Sequence, residues 1–115
     1  MNVISLTTDS SIITAWSNDQ SFDNVFSRQV EAYGKKNAIL IVLTTSGNSK
    51  NIISAIKTAR MNKMIIIGFT GKGGGMVKPE CDICLDVPSD DTALIQEIHI
   101  SLYHFLCEII EEAFR

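Results

Sequence analysis

The chain has 115 residues, of which 45% are apolar and 20% charged; this suits one soluble domain with its own hydrophobic core and excludes a disordered chain. Ten Lys and Arg against 13 Asp and Glu leave a net charge of −3, which argues against a nucleic-acid partner. No apolar run approaches the about 18 residues of a membrane span, and Met1-Asn2-Val3-Ile4-Ser5 lacks a basic leader, so the expectation is a cytoplasmic protein without a membrane partner. Three cysteines, an odd number, fit a reducing compartment.

In chain order, Val3-Ile4-Ser5-Leu6 is a short strand candidate, and Thr7-Thr8-Asp9-Ser10 supplies capping side chains for a helix over 10–16. Ser21 or Asp23 caps a second helix in which Phe22, Val25, Phe26, Val30 and Tyr33 recur near helical period. Gly34 stands where a C-cap glycine would end it. Ala38-Ile39-Leu40-Ile41-Val42-Leu43 is apolar throughout and β-branched, so it reads as a strand covered on both faces, hence part of a parallel sheet. A helix over 50–61 follows, then strands at 64–68 and 83–87. Apolar residues from Leu94 to Ala113 predict a long amphipathic helix over 92–114. Strands alternating with helices predict an α/β, doubly wound, mainly parallel sheet flanked by helices.

Between the first buried strand and its helix lies Thr44-Thr45-Ser46-Gly47-Asn48-Ser49. In open α/β sheets ligands collect beyond the carboxyl ends of the strands, where helix N-termini carry free N–H donors and a partial positive charge. Four hydroxyls, a glycine that admits close backbone approach and the following Lys50 suit a phosphate. The same composition also suits a plain strand-to-helix turn. Thr70-Gly71-Lys72-Gly73-Gly74-Gly75 lacks the Gly-Lys-Ser or Gly-Lys-Thr ending of a nucleotide loop and reads as a mobile turn. Cys81, Cys84, His104 and Cys107 match a zinc-ribbon spacing on paper, but they fall on a strand and a long helix, which sets them apart.

Trp16-Ser17-Asn18-Asp19, Phe22 to Val30, Thr44 to Ser49, Gly68-Phe69-Thr70-Gly71-Lys72-Gly73-Gly74, and Gln96-Glu97-Ile98-His99 with His104 resemble, together and in order, the phosphoheptose isomerases, which are sugar isomerase (SIS) domain proteins. The resemblance implies conversion of sedoheptulose 7-phosphate to D-glycero-D-manno-heptose 7-phosphate for lipopolysaccharide precursors, in a cytoplasmic homotetramer with zinc. By the same resemblance Thr44, Thr45, Ser46 and Ser49 bind phosphate, the first of them more often serine in the family. Asn18 and Asp19 contact substrate hydroxyls, Gln96 touches substrate and metal, and His104 binds metal and moves protons. Family members begin with a helix and a strand, a Gly-Asn-Gly-Gly-Ser type loop, and a helix bearing a zinc histidine and a catalytic glutamate. No counterpart stands in this sequence, which implies one SIS domain over 1–115 without its first strand-loop-helix unit, impaired in turnover, short of two zinc ligands and prone to self-association. The alternative is a non-catalytic SIS protein that binds sugar phosphate as a sensor or associates with the replication initiator DnaA. On an ideal helix Gln96 and His104 are about 80° apart, which puts both on one side of a cleft.

Overall fold

The computed structural model describes residues 1–115. Helix α1 (Ser10–Asp19) is capped by the Asp9 carboxylate, which accepts from the Ser11 and Ile12 N–H groups. A 3-10 turn (Phe22–Asn24), capped by Ser21, leads into α2 (Val25–Tyr33). Strand β1 (Ile39–Thr44), helix α3 (Lys50–Met61) and strand β2 (Ile65–Thr70) form a strand-helix-strand unit. After a glycine-rich loop and a short 3-10 turn (Lys78–Glu80) come β3 (Ile83–Asp86) and the 22-residue helix α4 (Thr92–Ala113), capped by Asp91.

The three strands are parallel in the order β1-β2-β3, with Val42 opposite Gly68 and Gly68 opposite Cys84. This is the α/β, mainly parallel architecture that the alternation of elements predicts. The core lies on one side of the sheet, where Leu40, Val42 and Ile66 meet Val30 of α2 and Ala55, Ile56 and Ala59 of α3. Ile56 and Ile66 are fully buried, each contributing about 1.5–3 kcal/mol of apolar burial.

The other side departs from the sequence reading. Strand β1 alternates exposed and buried residues, leaving Ile39, Ile41 and Leu43 in contact with solvent together with Ile65, Ile83 and Leu85 on the neighbouring strands. The apolar run is therefore covered on one face only in this chain. Along β2 the reason is visible: Phe69, beneath α4, is 1% exposed, whereas Ile65 at the far end is 41% exposed. Helix α4 crosses only the carboxyl end of the sheet. Only Ile95 and His99 of its residues are buried. By length and composition alone α4 is also apolar enough to cross a membrane, but these two residues anchor it in the fold.

Val3 to Leu6 forms no strand. Val3 and Ile4 are exposed with no neighbouring strand to pair with, and four lone residues cannot offset the loss of hydrogen bonds to water. Instead the Leu6 carbonyl accepts from Gln29 Nε2 at 3.0 Å. Gly34 does end α2, but its φ of −67° is ordinary. What it supplies is room, since a Cβ there would press on the Val30 carbonyl at 2.5 Å and on Met64 Sδ at 2.8 Å.

Candidate functional site: a cavity between a hydroxyl loop and a helix stripe

The parallel register brings Thr44 and Thr70 side by side at the carboxyl ends of β1 and β2, where a doubly wound sheet presents its ligands. Thr44 is buried, and its Oγ1 lies 3.2 Å from Ser49 Oγ. Ser49 occupies the N-cap of α3 without making a side-chain cap bond. The start of α3 therefore lacks the carboxylate cap that Asp9 and Asp91 give α1 and α4; the Ile52 N–H donates to Asn51 Oδ1 at 2.9 Å, and an anion is a natural acceptor for the N–H groups of Lys50 and Asn51 before it.

The loop is held from behind. Gly47 takes φ +66°, and a Cβ there would run into the Gly74 carbonyl. The Gly47 carbonyl accepts from Val77 N–H at 3.0 Å and Asn48 Oδ1 from Met76 N–H at 2.9 Å, while Gly71 N–H donates to the Thr45 carbonyl at 2.9 Å. Gly74 and Gly75 also have positive φ, which glycine adopts without steric cost. Thus Gly71, Gly74 and Gly75, in a segment read from sequence as a mobile turn, pack against the hydroxyl loop, while Lys72 and Gly73 stand exposed. Glycine composition indicates conformational freedom, but here that freedom is spent on close backbone contact.

Opposite the loop stands α4. A cavity of about 450 Å³ opens between them, with Leu43, Thr44, Thr45 and Ser49 on the loop side. Gln96, His99, Ile100 and Tyr103 line the helix side, at positions i, i+3, i+4 and i+7, which form one helical stripe. No carboxylate lines the cavity, so hydroxyls, an amide and the α3 N-terminus face a ligand without anionic repulsion. A second cleft of about 350 Å³ between β3 and α4 is mostly apolar and offers no comparable donor set.

Of the residues named from sequence, Thr44, Thr45, Ser49 and Gln96 meet at this cavity. Ser46 turns away: it is exposed, and its Oγ accepts from Asn48 N–H at 3.1 Å. Asn18 and Asp19 sit exposed in the last turn of α1, Asn18 Nδ2 donating to Asp19 Oδ1 at 2.8 Å, and do not line the cavity. His104 is exposed and packs edge-on to Tyr103, ring centroids 5.2 Å apart. The residue that shares the cavity with Gln96 is Tyr103, seven positions on, which returns to nearly the same angle; His104 lies about a further 100° round the helix. His99 enters the sequence reading only as part of the Gln96-Glu97-Ile98-His99 segment, without a role, and Tyr103 not at all, although the spacing 96, 99, 100 and 103 carries the signal.

The zinc expected from the resemblance needs correction. No three His, Cys, Asp or Glu side chains are grouped so as to hold a metal ion, whereas a catalytic zinc takes about three protein ligands. Gln96 and His104, the two residues assigned to it, point in different directions from α4. Cys81, Cys84 and Cys107 are free thiols, the last exposed on α4, so they form no metal site either.

A parallel sheet whose strand ends carry a hydroxyl loop, a helix N-terminus without a carboxylate cap and a facing helix defines an α/β protein of the doubly wound class with a cavity at its strand ends. The chain belongs to the SIS domain family, whose model matches residues 1–71. Its relatives there are phosphoheptose isomerases. It is 54% identical over 111 residues to one from Campylobacter jejuni, covering 96% of this chain and 60% of that protein. With one from Helicobacter pylori identity is 49% over 114 residues, 99% of this chain and 59% of the relative. Solved phosphoheptose isomerases from Francisella tularensis and Neisseria gonorrhoeae superpose with TM-scores of 0.91 and 0.92 at 45% identity, over 95% of this chain and 59% and 61% of theirs. The chain thus spans about 60% of the length of the relatives it matches.

Proposed function

We propose that residues 1–115 act as one SIS domain that binds a heptose 7-phosphate, with the phosphate at Thr44, Thr45 and Ser49 against the α3 N-terminus and the sugar against Gln96 and Tyr103. The observation that carries this reading is the single cavity shared by the hydroxyl loop and Gln96. Ser46 supports the loop's turn through Asn48 N–H, and Asn18 with Asp19 would reach sugar hydroxyls only from outside the cavity lining.

The reaction of the whole enzyme, on this reading, is the aldose-ketose isomerisation of sedoheptulose 7-phosphate. A base takes a carbon-bound proton, an enediol forms, and a proton returns to the neighbouring carbon while the oxygens exchange theirs. His104 is the proposed proton carrier. It is exposed on α4, so it serves the reaction only where another surface completes the site, which fits assembly as a homo-oligomer. As a monomer the 115-residue chain is then a binder with little turnover.

The test is calorimetric titration of the chain with sedoheptulose 7-phosphate and with unphosphorylated sedoheptulose. Binding of the phosphorylated sugar alone, weakened about tenfold by Thr45→Val through the loss of one hydrogen bond to an anion, is the expected result. Equal binding of both sugars, or of neither, rejects the reading. A second reading, a sugar-phosphate-sensing SIS protein without chemistry, is favoured by two features: no carboxylate lines the cavity, and its histidine is held by a backbone carbonyl. Isomerase assay of the assembled chain separates the two.

A further inference from the structure

We infer that His99 is a positioning residue for the sugar side of this cavity: it holds α4 at the rotation that points Gln96 and Tyr103 at the hydroxyl loop. The inference rests on the sugar-phosphate reading above and adds to it a residue that touches the frame of the site rather than the phosphate.

His99 is 3% exposed, and its Nε2 lies 3.0 Å from the Thr70 carbonyl oxygen. A carbonyl only accepts, so Nε2 carries the proton and the ring is the donor. That carbonyl already receives the Val87 N–H at 3.0 Å. The His99 bond therefore occupies its second lone pair and is not required to satisfy β2. An apolar residue of similar volume would fill the same space without leaving a buried orphan. The bond's effect is to set where the helix sits.

Two further observations give that effect consequence. Of the 22 residues of α4, only Ile95 and His99 are buried. Ile95 packs beside Gly71, while His99 stands edge-to-face on Phe69 with ring centroids 5.8 Å apart. Ile98 and Leu102 are half-buried, so the helix has one fully buried apolar contact and one directional one. Thr70, the acceptor, is the register partner of Thr44, whose hydroxyl meets Ser49. The helix stripe and the phosphate loop are consequently referenced to adjacent strand ends. Gln96 and Tyr103 lie on either side of His99 along that stripe, and a small rotation about the helix axis displaces both from a ligand held by the loop, where displacements of about 1 Å already matter.

The experiment uses the full 115-residue chain and three variants. His99→Phe keeps the ring against Phe69 and removes the donor. His99→Asn is too short to reach the Thr70 oxygen, and His99→Gln restores a donor at about the reach of Nε2. Titrations use inorganic phosphate, which engages only the loop, and sedoheptulose 7-phosphate, which engages both sides. Expected for H99F and H99N is phosphate affinity unchanged within about twofold and sedoheptulose 7-phosphate affinity down about tenfold, with H99Q recovering most of it. Amide hydrogen exchange is read alongside, with faster exchange in H99F at residues 96–103 and no change at residues 44–49. Equal weakening of both ligands, no weakening of either, or unaltered exchange along α4 overturns the inference. If H99F does not fold, H99N carries the same comparison against H99Q. A wild-type chain that binds neither ligand overturns the functional reading instead, and the exchange data still decide whether His99 holds the helix.

Discussion

Asn48 Oδ1 accepts the Met76 backbone N–H at 2.9 Å, joining the hydroxyl loop to a segment 28 residues further on. With the Gly47 carbonyl taking the Val77 N–H, the bond makes the two loops at the strand ends one mechanical unit. Asn48→Ala frees a backbone donor and is expected to cost about 1 kcal/mol of stability. Gly47→Ala costs more, about 2 kcal/mol or above, because the residue has φ +66° and its Cβ meets the Gly74 backbone. Urea denaturation of both variants checks the order; G47A no less stable than wild type contradicts the packed-support reading.

Acid stability follows from Asp82. Its carboxylate accepts the Ile66 N–H at 2.7 Å and two bonds from Arg60 Nη1 at 3.0 Å. The Ile66 N–H first and Arg60 second hold its pKa below the ordinary 3.8. A depressed folded pKa gives stability that is present above the unfolded value and lost as pH falls through the folded one. Denaturation midpoints are therefore expected to hold above pH 3.8 and to drop below it. Asp82→Asn flattens part of that drop, and Asp86, lowered by its hydrogen bond to Lys78, retains the rest. An identical acid profile in the variant counts against the assignment.

Alkaline behaviour is read from Cys81. Burial, with the neighbouring Cys84 second, pushes its thiol from 9.0 to about 11. A raised folded pKa gives stability that is full below pH 9.0 and lost as pH rises toward about 11. Below that window Cys81 holds about a hundredth of the thiolate of an unshifted cysteine. Peptide-resolved iodoacetamide labelling at pH 8 is expected to modify the exposed Cys107 long before Cys81, and equal labelling refutes the burial effect.

Self-association has a specific surface to test. Ile39, Ile41, Leu43, Ile65, Ile83 and Leu85 leave one side of a parallel sheet open, whereas parallel sheets are ordinarily covered on both faces. Light scattering at micromolar concentration is expected to report a homo-oligomer for the wild-type chain. Ile41→Glu, at a position already 41% exposed, is expected to give a monomer with unchanged circular dichroism. A monomeric wild type removes the proposed assembly.

Much of the fold was legible because its signals are local. The helix over 50–61 matches α3 residue for residue, since Ile52, Ile53, Ile56 and Ala59 fall at helical spacing. Gly34 marked the end of α2 correctly but for a different cause, crowding rather than a left-handed φ. The position of the Thr44–Ser49 loop at a strand end was readable because it follows an apolar run and precedes a helical one. Signals that depend on neighbours were misread: Val3 to Leu6 has strand composition and no strand to pair with, and the run from Ala38 to Leu43 says nothing about how many of its faces are covered.

By itself the sequence determined the succession of elements, the hydroxyl loop at a strand end, and the spacing of polar residues along the last helix. Spacing specifies angles between residues on one helix, about 20° from Gln96 to Tyr103 on one stripe and about 80° from Gln96 to His104. It leaves open the direction in which that stripe faces. The direction depends on contacts between distant segments, and here it is decided by the His99 ring on Phe69 and its hydrogen bond to the end of β2.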